Sequence, residues 1–157
     1  TQHYAAPKLL IGHSIGGAAV LHAAAQIGYC KAVATIAAPA DPSDLTRFLG
    51  NTHEQIEKKG EAQFTLAGRE FRIRKQFLDD LQRVRMEETI KALNRPLLLF
   101  HSPDDYTVSV ENAVKIFRTA RYPKSFISLD GADHLLSNRD DSLYVGSVLA
   151  AWVEKYI

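Results

Sequence analysis

Cysteine is all but missing from this chain: Cys30 stands alone, so no internal disulfide can form. A reducing compartment tolerates that pattern, and a cytoplasmic protein is expected. An excess of either charge is missing too, because 19 Lys and Arg face 18 Asp and Glu, a formal net charge of +1. Neither nucleic acid nor an anionic membrane is therefore expected as a partner. No apolar run approaches the roughly 20 residues that cross a bilayer. The opening Thr1-Gln2-His3-Tyr4 has neither the basic nor the apolar segment of a signal peptide, and no initiating Met. Metal-ligand spacing is absent as well: there is no His-Glu-x-x-His, and His3, His22 and His53 stand apart, so no metal or other cofactor is expected. Internal repeats and low-complexity stretches are lacking. What remains is an ordinary globular composition, 46% hydrophobic and 24% charged over 157 residues, enough for one core.

The most informative stretch is Gly12-His13-Ser14-Ile15-Gly16, followed by Gly17. Before it, Lys8-Leu9-Leu10-Ile11 reads as a buried strand; after it, Ala18 to Ala25 reads as a helix of small residues. Strand, G-x-S-x-G and helix in that order form a nucleophile elbow, a strained turn that exposes the serine hydroxyl. Gly12 and Gly16 are expected to admit close backbone approach. The helix start beside Ser14 aims free N–H groups at any oxyanion formed there, with Ile15 as the first donor. The alternative is a glycine-rich turn that only packs well or cradles a phosphate.

Downstream, Gly28-Tyr29-Cys30 turns into a second strand, Ala32 to Ala37, which makes a right-handed crossover in a parallel sheet. Ser43 or Asp44 is placed to cap a short helix over Leu45, Phe48 and Leu49. Residues 51–93 are more charged: a polar helix over His53–Lys59, a hairpin signal with Phe64-Thr65-Leu66 and Arg69 to Ile73 flanking Ala67-Gly68, then helices over Lys75–Val84 and Glu87–Leu93. Phe77, Leu78 and Leu81 share one helical face. Together, residues from about 41 to 93 read as a cap or lid set between strands of the sheet, the alternative being a surface excursion without catalytic consequence. The parallel pattern resumes with strands over Pro96–Phe100 and Ser125–Leu129 and helices over Val108–Arg118 and Ser142–Ile157. The first of these helices is expected to turn Val110, Ala113, Val114 and Phe117 inward, the second Leu143, Val148, Leu149 and Trp152. The class is α/β.

Catalysis at a serine needs a base and an acid to orient it, and in this class such groups sit beyond the carboxyl ends of strands. Two loops qualify: His101-Ser102-Pro103-Asp104-Asp105-Tyr106-Thr107-Val108, and Asp130-Gly131-Ala132-Asp133-His134. The chain order is then Ser, Asp, His. His13 reads as a structural or pocket-lining residue, and His101 as lining or packing. Cys30 reads as a small buried hydrophobe rather than a nucleophile. Arg72, Arg74 and Lys75 read as a solvated face, or else as a clamp for an acidic substrate group.

The elbow, the Asp105-Tyr106-Thr107-Val108 stretch and the Gly131-Ala132-Asp133-His134 stretch together resemble the α/β-hydrolase superfamily. That resemblance implies the α/β-hydrolase fold: a mostly parallel sheet flanked by helices, with a helix-and-hairpin cap, in one domain over residues 1–157. It implies Asp105 rather than Asp104 as the acid, His134 as the general base, and a loop role for Asp133. Asp104 stays among possible pocket residues with His13 and His101. The family normally places several strands before the elbow, and a loop there donates the second oxyanion N–H; only Pro7 to Ile11 precedes the elbow here. The N-terminal strands of the fold are therefore expected to be missing. A free apolar edge on Leu9-Leu10-Ile11 would then need cover from a missing half or another copy, so a homodimer is among the expectations. More narrowly, Arg69 to Leu78, Pro123 to Phe126 and Asp130 to Leu136 resemble bacterial hydrolase domains fused ahead of an osmotically inducible protein C-like domain, which implies such a domain, fused or neighbouring, as a partner.

The expected function is thus a serine hydrolase for a small carboxylic ester or related acyl substrate, with Ser14, His134 and Asp105 as its machinery. Peptidase or thioesterase chemistry on the same fold is one alternative. The other is a weak or inert module serving interaction or dimerisation, or a linked osmotically inducible protein C-like redox domain.

Overall fold

The computed structural model describes residues 5–66 and 69–157; His3 and the expected Ala67-Gly68 turn lie outside it, as do the side chains of Leu45 and Phe48. In chain order the elements are β1 (Leu9–His13), α1 (Ile15–Ala24), β2 (Ala32–Ile36), a 3-10 helix (Pro42–Leu49), α2 (Thr52–Lys59), β3 (Glu61–Leu66), β4 (Arg69–Arg74), α3 (Lys75–Arg83), α4 (Met86–Ala92), β5 (Leu97–His101), α5 (Glu111–Thr119), β6 (Lys124–Ser128) and α6 (Arg139–Val153). They form two compact units, Thr1–Ala40 with Met86–Ile157, and Asp41–Arg85.

The larger unit is built on a parallel four-stranded sheet in the order β1-β2-β5-β6. The apolar character of each strand follows its place in that order. Central β5 is buried along its whole length and β2 nearly so, whereas β1 and β6, at the ends of the order among the described residues, stay partly exposed. A parallel strand with helices on both faces has no solvated side, so Leu97 to Phe100 can be continuously apolar. Alternation sends Leu98 and Phe100 to one face, where they meet Ala34, Leu129, Ala132 and Val145, with Val148, Leu149 and Trp152 of α6 packed alongside. Helices α1, α4 and α5 pack in succession, and α1 and α5 lie against the strands that precede them.

Several expected faces shift. On α5 the buried residues are Ala113 and Ile116; Val110, Val114 and Phe117 are only half-buried. On α6 Val145 faces the core, while Leu143 is 53% exposed. The helix starts at Arg139 because the Asn138 side chain caps it, accepting the Asp140 N–H at 3.0 Å. Helix α4 packs on α1 and α5, so it falls with the sheet rather than with the insertion expected to run to residue 93.

The smaller unit, Asp41–Arg85, is a 3-10 helix, α2, the antiparallel β3–β4 hairpin and α3. Its core is Leu49, Ile56 and Leu78, with Ala62, Phe64 and Ile73 packed against them. Leu81 is buried as expected, but Phe77 is 39% exposed, and the buried residues of α3 are Leu78 and Leu81. The cap of the 3-10 helix is Asp41 rather than Ser43 or Asp44: its carboxylate accepts the Ser43 N–H at 2.9 Å, and Pro42 occupies the position where a missing N–H costs nothing. The basic run has acidic partners: Arg72 and Arg74 lie 3.7 and 3.6 Å from the Glu61 carboxylate, and Lys75 contacts Glu57. Those pairs are exposed, as in the solvated-face reading.

Candidate active site

The register of the parallel sheet sets the carboxyl ends of its strands side by side. The Ser14 N–H donates to the Ile36 carbonyl at 2.8 Å, Ala37 N–H to Phe100 at 2.8 Å, and Leu129 N–H to His101 at 2.9 Å. Three segments therefore start at one level: the turn after β1, the loop after β5 and the loop after β6. They carry Ser14, Asp105 and His134 respectively.

Ser14 has φ 53° and ψ −127°, an unfavourable conformation for a residue with a Cβ. Packing holds it there. A Cβ on Gly12 would lie 2.1 Å from the Gly16 carbonyl oxygen, and one on Gly17 would lie 2.4 Å from the Ala38 Cβ. The close approach therefore belongs to Gly12 and Gly17. Gly16, expected to need the same freedom, has nothing within 4 Å of a built Cβ. Helix α1 begins at Ile15, whose N–H has no intrahelical acceptor and lies next to the hydroxyl-bearing residue.

The Ser14 Oγ is 3.1 Å from His134 Nε2, and His134 Nδ1 is 2.7 Å from Asp105 Oδ2. A carboxylate only accepts, so Nδ1 carries the proton and Nε2 is left free to take one from Ser14. The Asp105 side chain is fully buried. Its Oδ1 accepts the Thr107 and Val108 N–H groups, both at 2.9 Å, which leaves Oδ2 aimed at the imidazole. Burial pushes the carboxyl pKa up, but the bonds from His134, Val108 and Thr107 outweigh it and hold the pKa below the ordinary aspartate value.

The neighbouring candidates hold loops. His101 is buried at 1% exposure and donates from Nε2 to the Val108 carbonyl at 2.7 Å, closing the acid loop on itself. Burial lowers its pKa and favours the neutral ring. Asp104 is exposed, and its Oδ2 accepts the Gly131 N–H at 3.1 Å, tying the β5 loop to the β6 loop. Asp133 Oδ1 accepts the Leu135 and Ser137 N–H groups at 3.0 and 2.9 Å, a local turn; the bond from Ser137 is the chief cause of its lowered pKa. His13 donates from Nε2 to the His134 carbonyl at 2.7 Å, with the two rings 5.0 Å apart and tilted by 47°. Proximity to Ser14 marks His13 in the sequence, but its partner lies 121 positions away and leaves no local signal. Cys30 is buried, donates to the Ala32 carbonyl at 3.4 Å and has its thiol pKa raised by burial, none of which suits a nucleophile. Among the described residues no group of three or more His, Cys, Asp or Glu is arranged to hold a metal ion, and no helix is long and apolar enough to cross a membrane.

No family model matches the chain. Over 70 residues, 43% of this chain, it is 27% identical to "Probable dipeptidyl-peptidase 5" of Aspergillus niger, of whose length it covers 10%. Among solved structures, the esterase domain of a Rhodothermus marinus protein superposes with a TM-score of 0.86 at 53% identity over 99% of this chain. The chain spans 64% of that domain's length. Est1E from Butyrivibrio proteoclasticus matches with a TM-score of 0.66 at 19% identity, covering 92% of this chain and 59% of its own. Mouse alpha/beta hydrolase domain-containing protein 10 matches with a TM-score of 0.74 at 23% identity, covering 98% of this chain and 64% of its own. Sheet order, register and these likenesses converge: the chain has the α/β-hydrolase fold, and its structural neighbours include α/β-hydrolase esterase domains.

Proposed function

We propose that the protein is a serine hydrolase acting on a small carboxylic ester or related acyl compound. The observation that carries this reading is the continuous hydrogen-bonded line from Ser14 Oγ through His134 to the buried Asp105 carboxylate. The 53% identity to an esterase domain supports the same class. In the first half-reaction Ser14 Oγ attacks the acyl carbon while His134 Nε2 takes its proton. The carbonyl oxygen becomes an oxyanion against the Ile15 N–H, one of the donors such an intermediate requires. Collapse breaks the bond to the leaving alkoxide, which receives the proton from His134 and leaves an acyl-serine. Water then gives a proton to His134 and attacks the acyl carbon. The tetrahedral species expels Ser14, which recovers that proton, and releases the acid. Asp105 keeps the imidazole in the correct tautomer and stabilises its cation throughout.

A peptidase is the second reading, favoured by the likeness to "Probable dipeptidyl-peptidase 5". The same line of residues serves an amide as well as an ester, so substrate separates the two. The test is intact-mass spectrometry after a fluorophosphonate probe, followed by a panel of nitrophenyl esters, acyl thioesters and dipeptide arylamides. One adduct that disappears in Ser14→Ala is expected, with ester turnover foremost. No adduct on the parent protein would overturn the reading and favour an inert module on this fold.

A further inference from the structure

We infer that His13 is a positioning residue for the base: through its Nε2–H it holds the main chain of His134, so that the strand end bearing the nucleophile also places the imidazole. The inference rests on the roles assigned above to Ser14, His134 and Asp105.

His134 sits in the irregular segment between β6 and α6, where no ladder fixes the backbone. That segment is pinned on either side of it. Gly131 N–H reaches Asp104, Leu136 N–H donates to the Asp133 carbonyl at 3.2 Å, and the Asp133 carboxylate gathers the Leu135 and Ser137 N–H groups. Among the described residues the bond to the main chain of His134 itself comes from His13, at 2.7 Å. Its origin matters mechanically. His13 is the last residue of β1, held in register opposite Ile36, and Ser14 follows it directly. A loop that moved independently of β1 would change the 3.1 Å separation of Ser14 Oγ and His134 Nε2. The His13 bond makes base and nucleophile move together. The contribution is not one of bulk, because His13 is exposed and outside the hydrophobic core. Its ring also lies 5.0 Å from the His134 ring, limiting that ring's swing on one side.

Two variants of the full-length protein separate the donor from the ring. His13→Phe keeps an aromatic ring and removes the N–H; His13→Gln restores an N–H at a similar reach. With 4-nitrophenyl acetate as the probe, His13→Phe is expected to lower kcat on the order of tenfold or more with KM within about twofold, since small misplacements of catalytic groups cost that much. His13→Gln is expected to recover kcat to within about threefold of the parent. Amide hydrogen exchange over residues 133–137 should quicken in His13→Phe and return to the parental rate in His13→Gln. A His13→Phe kcat within about twofold of the parent, a loss confined to KM, or a His13→Gln variant as impaired as His13→Phe would each overturn the inference. A parent that neither turns over ester nor accepts the fluorophosphonate would instead count against the serine-hydrolase reading. The exchange measurement still decides in that case, and unchanged protection in His13→Phe would remove the role of His13.

Discussion

A β-carbon on Gly12 would sit 2.1 Å from the carbonyl oxygen of Gly16, so the strand and the first turn of α1 touch through bare backbone. Neither atom can yield without moving the elbow. Gly12→Ala is therefore expected to lose about 3 kcal/mol or more of stability, or to fail to fold. Gly16→Ala meets open space in a helix and is expected to match the parent or gain up to about 1 kcal/mol. Thermal melts of the two variants check this, and a Gly16 variant less stable than the Gly12 variant would refute it.

Adjacent aspartates should respond differently to the same change. Asp105→Asn puts an amide where a carboxylate must accept from His134 Nδ1, so the imidazole tautomer is lost. Fluorophosphonate inactivation is expected to slow by about three to four orders of magnitude. Asp104→Asn still offers an oxygen to the Gly131 N–H and should stay within about threefold of the parent. Equal losses in both would mean that the acid is shared or misassigned.

Acid should destabilise the fold through two buried groups. His101 has a lowered pKa, so the unfolded chain binds a proton near the ordinary value of 6.5 while the folded chain resists it. Stability therefore falls as pH drops below about 6.5 and keeps falling until the folded pKa is passed. Asp105, with its pKa also lowered, adds stability above the unfolded carboxyl pKa that is lost as pH falls through the folded one. His101→Gln keeps a donor for the Val108 carbonyl and removes the first of these. Melting temperatures between about pH 6.5 and 5 are expected to fall less steeply in the variant. Parallel slopes would show that His101 is not the source.

Ile56 is fully buried in the smaller unit among Leu49, Leu78 and Phe64. Ile56→Ala leaves a cavity in a core of few residues and should cost about 2–5 kcal/mol in that unit. Hydrogen exchange is expected to quicken across α2, β3 and β4. Unaltered protection there would argue that the hairpin stands without its helix.

The elbow, the alternation of strands and helices, and the two loops in which partners for Ser14 could lie are legible in the amino-acid sequence. Those features are local: a β-branched or aliphatic run, a glycine beside a serine, a polar loop after a strand. Periodicity did not settle every helical face: Leu143, expected inward, is 53% exposed, while Ile116 is buried, because the packing partner rather than the local pattern selects the stripe. Nor did the sequence separate Gly16 from Gly17, since a clash depends on Ala38, which arrives from β2. The hydrogen bonds from His13 to His134 and from Gly131 to Asp104 cross 121 and 27 positions. Only the parallel register, which brings the ends of β1, β5 and β6 to one level, decides that these groups meet.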